Sequence, residues 1–269
     1  MSQIKIKSIH IYPVKSLGGI HIESSEVESK GLKYDRRWML VDENGHFISQ
    51  RKYPKLSMLQ PSITSVSLQI VDRTSELSPL NVPLESPNSE SIAVTVWDDT
   101  CLAKPLSDSI NAWFSQFMGM PVRLVYMHEQ SERKADPRYA TSDQDIVSFA
   151  DGYPILIISQ ASMDLLNEKS SEHIPSDRFR ANIIIDGVEA HEEDSLKKIC
   201  TEEVELAGVK PCARCVMTTI DQQTGEKGKE PLQTLSTYRK EGQKILFGYN
   251  FIPTQLGNLQ VGDIFEQLT

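Results

Sequence analysis

The sequence lacks most of the features that mark specialised chains. It has only four cysteines in 269 residues, Cys101, Cys200, Cys212 and Cys215. That is too few for a disulfide scaffold, and a reducing compartment would oppose disulfides in any case. No apolar run exceeds Pro154–Ile158, against the ~18 residues needed to span a bilayer. The opening MSQIKIKSIH contains no apolar segment of the secretory kind, so the expectation is a cytoplasmic protein with no membrane partner. Basic residues are the minority, 28 Lys and Arg against 37 Asp and Glu, a net charge of −9. Such a chain repels a polyphosphate backbone, which argues against sequence-independent nucleic-acid binding but not against a local basic pocket for one small anion. The six histidines form no H-x-x-x-H or H-E-x-x-H pair, and neither G-x-S-x-G nor G-x-G-x-x-G occurs. Zincin, α/β-hydrolase and dinucleotide-fold readings therefore have no support.

What is present is ordinary globular material, 39% hydrophobic and 24% charged, enough for a sizeable core and for one large or two ordinary domains. Period-two alternation dominates: Ile4 and Ile6, then Ile9 and Ile11; Val66, Leu68, Ile70; Val94, Val96; Val122, Leu124, Tyr126; Val204, Leu206. The runs are short and end in turn sequences such as Asp42-Glu43-Asn44-Gly45 and Asp186-Gly187. This is the pattern of barrels or sandwiches. Ile155–Ile158 and Ile183–Ile185 are continuously apolar, as strands covered on both faces are. Helices are few. Ile110, Trp113, Phe114, Phe117 and Met118 share one face of a helix over 108–118, which Gly119 ends and Pro121 cannot continue. A second begins near Ser159 with Met163, Leu165 and Leu166, and a third covers Leu232 to Tyr238 behind Pro231. Residues 72–91 form a surface excursion. Residues 127–147 are a polar connection, and the domain boundary is placed there, giving 1–126 and 127–269.

Cys212-Ala213-Arg214-Cys215 is the strongest local signal for chemistry. A C-x-x-C can be half of a zinc site, a thioredoxin-like dithiol, a source of one soft thiolate ligand for a heavier metal, or two small residues at a strand end. Val216–Ile220 favours β structure, which opposes the redox-helix form of the dithiol. Lys210 and Arg214 beside the pair would favour a thiolate. Lys15 and Ser16 end the first strand and could hold a phosphate, although no Walker A loop is present. Asp35-Arg36-Arg37-Trp38 and Asp177-Arg178-Phe179-Arg180 each place two Arg in a β context, where alternation turns at most one of Arg36 and Arg37 inward. No histidine is assigned to catalysis; His191 leads an acidic run that reads as a solvated loop.

Eight motifs in order then resemble one family: I-Y-P-V-K-S, D-R-R-W, F-A-D-G-Y-P, F-R-A-N, K-P-C-A-R-C-V-M-T-T, E-P-L-Q-T-L, F-G-Y-N and V-G-D. Together they run from about residue 4 to 266 and are similar to MOSC proteins with an N-terminal MOSC β-barrel domain, of the YcbX and mitochondrial amidoxime-reducing-component types. The resemblance implies a mainly β fold with peripheral helices, an N-terminal β-barrel domain followed by a MOSC β-barrel domain. It also implies a molybdenum cofactor, Mo on a molybdopterin with a terminal phosphate, in an oxidoreductase that reduces N-hydroxylated compounds such as hydroxylaminopurines, hydroxylamines and amidoximes. Carried over residue by residue, Cys215 is the Mo ligand and catalytic residue, and Cys212 lines the pocket. Lys15, Ser16, Arg36, Arg180 and Asn182 bind the cofactor. Asp151, Gly152, Tyr153, Arg214 and Asn250 complete its surroundings. The R-x-N motif reads R-A-N here in place of the common R-P-N, a change expected to be harmless. The YcbX type continues into a ferredoxin domain, but no C-x4-C-x2-C run follows here. The expected electron source is therefore a separate ferredoxin- or flavoprotein-type donor. The alternative function is a non-catalytic cofactor carrier or a sulfur-handling MOSC module.

Overall fold

The computed structural model describes residues 3–268. It is mainly β, with three α-helices among those residues, α1 (Asp108–Met118), α2 (Gln160–Lys169) and α3 (Leu232–Leu235). None of these helices is long and apolar enough to cross a membrane.

Seven strands close into a barrel: β1 (Ile4–Ile11), β2 (Ile155–Ser159), β3 (Ile183–Asp186), β4 (Lys198–Cys200), β5 (Glu205–Arg214), β6 (Lys244–Gln255) and β7 (Ile264–Gln267). The order round the barrel is β2-β3-β1-β7-β4-β5-β6 and back to β2. Only the β2–β3 pair is parallel, and α2 lies on the connection between those two strands. The Ser159 hydroxyl caps α2 by accepting from the Ser162 N–H at 3.0 Å. The β2 sequence is apolar throughout because Ile155 and Ile157 point into the barrel core while Leu156 and Ile158 pack outside against Met163 and Leu166 of α2. Ile6 and Ile9 are three residues apart yet both are fully buried in that core. A bulge between Ile6 and Ser8, opposite β3, adds the residue that resets the alternation.

The second lobe is built from residues between the first and second staves. One sheet runs in the order Trp38–Val41, Arg123–Tyr126, Asp99–Pro105, Ile92–Val96; another joins Leu59–Ile63, Ser67–Asp72 and Leu80–Pro83. Helix α1 buries Ile110, Phe114 and Met118 against Trp38 and Leu124. Gly119 at φ +67 ends it, as expected. A boundary near residue 127 divides the sequence but not the sheets. Stave β1 precedes the whole second lobe in the chain, and Ser24–Glu28 pairs with Gly257–Gln260. The lobes are clasped together by reciprocal amide bonds between Gln50 and Gln222 at 3.0 and 3.2 Å. Arg73 adds bonds to the Gln222 carbonyl and, at 2.7 Å, to Gln223.

Several local expectations are corrected. The excursion 72–91 contains the strand Leu80–Pro83. Val66 lies in the turn before its strand and is 78% exposed. Trp113 and Phe117 are only half-buried, and the Trp113 indole donates to the Ser78 carbonyl at 2.8 Å. Helix α3 stops at Leu235. Val216–Thr219 is a 3₁₀ turn despite its β-favouring composition. The Arg pairs are not in strands either: Arg36 has φ +50, and Ser176–Phe179 is a 3₁₀ turn ended by Arg180 at φ +55.

Candidate cofactor cleft

A cleft with about 140 Å³ of water-accessible space lies between the lobes. Every one of the twelve candidate residues lines it: Lys15, Ser16 and Arg36 from one side, Asp151, Gly152 and Tyr153 from the loop before β2, and Arg180, Asn182, Cys212, Arg214, Cys215 and Asn250 from the barrel. The C-terminal end of β1 leads into Lys15. Its ammonium is almost enclosed, donating to the Asp151 carboxylate at 2.6 Å and the Phe149 carbonyl at 2.7 Å. Burial pushes Lys15 below the usual lysine range, and Asp151 pulls it back.

Near Lys15, two guanidiniums pack on one aromatic ring, that of Tyr12. The guanidinium carbons of Arg36 and Arg180 lie 4.4 and 4.2 Å from the Tyr12 ring centroid. Asp35, fully buried, accepts from the Tyr12 N–H at 2.8 Å and from Arg36 at 2.6 and 2.8 Å. Burial, and then the nearby Arg36, push Arg180 down to about 10. Burial pushes Tyr12 up to about 12 although both guanidiniums oppose this. Arg37 turns the other way, toward Glu28, Glu129 and the Met127 carbonyl. One inward Arg of the pair was expected, but a left-handed residue produces it here rather than strand pleat.

The cysteine face is different from its expectation. Arg214 donates to the Cys212 sulfur at 2.9 Å and to the Phe179 carbonyl at 2.6 Å. Its guanidinium therefore serves Cys212 and not Cys215. Lys210 lies over the Tyr139 ring, 4.3 Å from its centroid, turned to the aromatic pair Tyr139–Tyr153. Cys215 is exposed and precedes the 3₁₀ turn. The Thr218 hydroxyl donates back to the Cys215 carbonyl at 3.0 Å, and Arg178, paired with Asp221 at 2.8 Å, donates to the Thr218 carbonyl at 3.4 Å. The thiol is thus presented from a fixed turn. The zinc reading finds no support, since no group of three or more His, Cys, Asp or Glu able to hold a metal occurs among the described residues.

Two candidates owe their place to the scaffold. The Asn182 side chain accepts from the Leu156 N–H at 3.1 Å and donates to the His10 carbonyl at 3.3 Å, tying β1, β2 and β3 together. Asn250 donates to the Lys210 carbonyl at 3.1 Å across the bulged β5–β6 ladder. A Cβ at Gly152 would meet nothing within 4 Å, so close approach of the backbone does not explain that glycine. Residues that the motifs missed include Phe47, Arg51, Trp97, Arg178 and Met217. Arg178 was visible as the first Arg of D-R-F-R. Met217 falls inside K-P-C-A-R-C-V-M-T-T, in the 3₁₀ turn after Cys215, but the motif assigns it no role; Phe47, Arg51 and Trp97 come from loops of the second lobe with no local pattern to mark them.

The lining suits an anion and a soft metal. Six cations meet one carboxylate, Asp151. Arg178, Arg214 and Tyr153 each keep one buried polar atom, Nε, Nε and the hydroxyl, with no partner. An anionic ligand would relieve the repulsion between Arg36 and Arg180, and Cys215 offers the soft donor.

A family model described as the MOSC N-terminal beta barrel domain matches residues 3–121, and one described as the MOSC domain matches residues 144–266. Mitochondrial amidoxime reducing component 2 of Rattus norvegicus is 31% identical over 277 residues, covering 96% of this chain and 81% of that protein. Mitochondrial amidoxime-reducing component 1 of Homo sapiens is 29% identical over 275 residues, with the same two coverages, 96% and 81%. Molybdenum cofactor sulfurase of Oryza sativa subsp. japonica is 32% identical over 269 residues, covering 92% of this chain but 32% of that protein. With both domain models matched in tandem and relatives aligned along nearly its whole length, this chain belongs to the MOSC family.

Proposed function

We propose that the protein is a molybdenum-cofactor-dependent reductase of N-hydroxylated compounds. The observation that carries this reading is the convergence, in one cleft of a MOSC chain, of an exposed thiol and six cations facing a single carboxylate. The homologues named amidoxime-reducing components support it. Lys15, Ser16, Arg36 and Arg180 would hold the phosphate and pterin, and Cys215 would supply the protein's sulfur ligand. Asn182 and Asn250 would keep the backbone that faces the pterin in place. When bound, the cofactor supplies a two-electron reductant, for the overall change N–OH + 2 e⁻ + 2 H⁺ → N–H + H₂O. The chain's own contribution is to bind, to orient and to surround the site with fixed positive charge. A separate ferredoxin- or flavoprotein-type protein would deliver the electrons.

The test is elemental analysis with fluorescence of the released, oxidised pterin, followed by reduction of an amidoxime with a chemical reductant. One Mo and one pterin per chain together with amidoxime turnover are expected; a protein that binds the pterin yet reduces no N-hydroxy compound overturns the reductase reading. That result would favour a carrier or sulfur-handling module, the reading that the homology to molybdenum cofactor sulfurase supports. Arg36→Ala is expected to lower pterin occupancy by removing a charge-assisted contact of roughly 1.5–3 kcal/mol. Pterin-to-protein stoichiometry at limiting cofactor checks it, and unchanged occupancy places Arg36 outside the binding set.

A further inference from the structure

The cleft lining includes a pair, Arg51 and Trp97, to which the cofactor-binding set proposed above assigns no role. Trp97 is the first residue of the two-residue turn between Ile92–Val96 and Asp99–Pro105, with φ +57. Glycine is the residue suited to that position, and a bulky side chain there is strained. The indole is nevertheless fixed: its N–H donates to Asp151 at 3.1 Å, Phe47 meets it at 4.6 Å edge-on, and it stays 38% exposed. The Arg51 guanidinium carbon lies 4.1 Å from its centroid. Arg51 differs from the deeper cations. Lys15 is engaged by Asp151, Arg36 by Asp35 and Arg178 by Asp221. Among the described residues the Arg51 guanidinium has no hydrogen-bond or carboxylate partner; only its backbone carbonyl is used, accepting from Lys227 at 3.2 Å.

We propose that Arg51 and Trp97 select the substrate, favouring N-hydroxylated compounds whose N–OH group is carried on a planar ring that also bears a negative charge. The element rests on the reductase reading above. The indole gives a flat surface for the ring. The guanidinium, held by the indole with its N–H fork free, meets a carboxylate or phosphate bidentately. A strained aromatic in a glycine position is the kind of local cost that is retained where the side chain is needed.

The experiment compares two matched pairs. Binding of unreactive benzamide and para-carbamoylbenzoate to the purified protein is measured by calorimetry. Turnover of benzamidoxime and para-carboxybenzamidoxime by cofactor-loaded protein is measured with a chemical reductant. The charged member is expected to bind about tenfold more tightly and to show a correspondingly lower KM with kcat little changed, as a single charge-assisted contact allows. Arg51→Gln should bring both ratios to about one, and Arg51→Lys should restore part of them. Trp97→Gly, which suits the left-handed turn and should fold, is expected to weaken both members of each pair. Equal binding of the two amides by the natural protein overturns the proposal. So does a preference that persists in Arg51→Gln, because it would place the anion on the deeper cations. A charge preference lost in Arg51→Gln without any N–OH reduction sustains the selectivity element and rejects the reductase reading; reduction with no charge preference does the reverse.

Discussion

Cys215→Ser is expected to bring N–OH reduction to background, a loss of roughly 100-fold or more, since even groups that only orient a metal's ligands cost 10–100-fold when removed. The fold should be untouched. Cys215 is exposed and enters no side-chain hydrogen bond among the described residues, so the melting temperature should match that of the natural protein. Cys212→Ser is the control. Cys212 is half-buried and its sulfur accepts from Arg214, so this variant should keep its Mo. Equal loss of Mo in both variants would reverse the assignment of the two cysteines. A disulfide between them does not compete with this picture. Residues three apart on an extended strand such as β5 and its continuation separate by about 10 Å, beyond the reach of a disulfide bridge. Both thiols should therefore react with a thiol reagent in the native protein.

The second large effect concerns the barrel. A fragment of residues 127–269 contains the whole C-terminal half of the sequence, yet it is expected not to fold cooperatively. It lacks β1, which sits between β3 and β7 and buries Ile4, Ile6, Ile9 and Ile11. Four isoleucines at ~1.5–3 kcal/mol each amount to roughly the whole stability of a domain. Losing one stave of seven also opens two sheet edges. Amide dispersion in a proton–nitrogen correlation spectrum checks this, and a well-dispersed fragment would mean that the remaining six strands close without β1. Adding residues 1–32, which also bring the strand that pairs with Gly257–Gln260, should recover dispersion.

The sequence made the β-rich class legible because alternation is a local property, α1 because its apolar periodicity ends at Gly119, and α2 because Met163, Leu165 and Leu166 follow Ser159. The basic motifs and the C-x-x-C stand out in an acidic chain, but it is the family motifs, not composition, that name the twelve residues found on the cleft lining. Four things were hidden for physical reasons. The bulge that joins Ile6 and Ile9 into one strand depends on the partner β3. The turn after Cys215 is imposed by Thr218 and Arg178 against local β preference. Arg214 chooses Cys212 because the Phe179 carbonyl holds its other nitrogen, a contact between residues 35 apart. Arg51 and Trp97 come from different loops, and only the folded chain brings them together.

The uneven placement of charge has a consequence for how ligands arrive. The chain carries −9 overall, whereas the cleft presents six cations against Asp151 on its lining and Asp35 and Asp221 paired behind Arg36 and Arg178, so the rest of the chain is more negative than the total. In dilute buffer, where the Debye length reaches about 30 Å at 0.01 M, an approaching anion meets the repulsion of the whole chain from far out. Only inside the mouth does it meet the attractive near field. Added salt screens the far field first. Capture of a small anion should therefore be slow in dilute buffer and fastest at intermediate ionic strength. A long polyanion, which keeps most of its charges outside the mouth, is turned away at every stage.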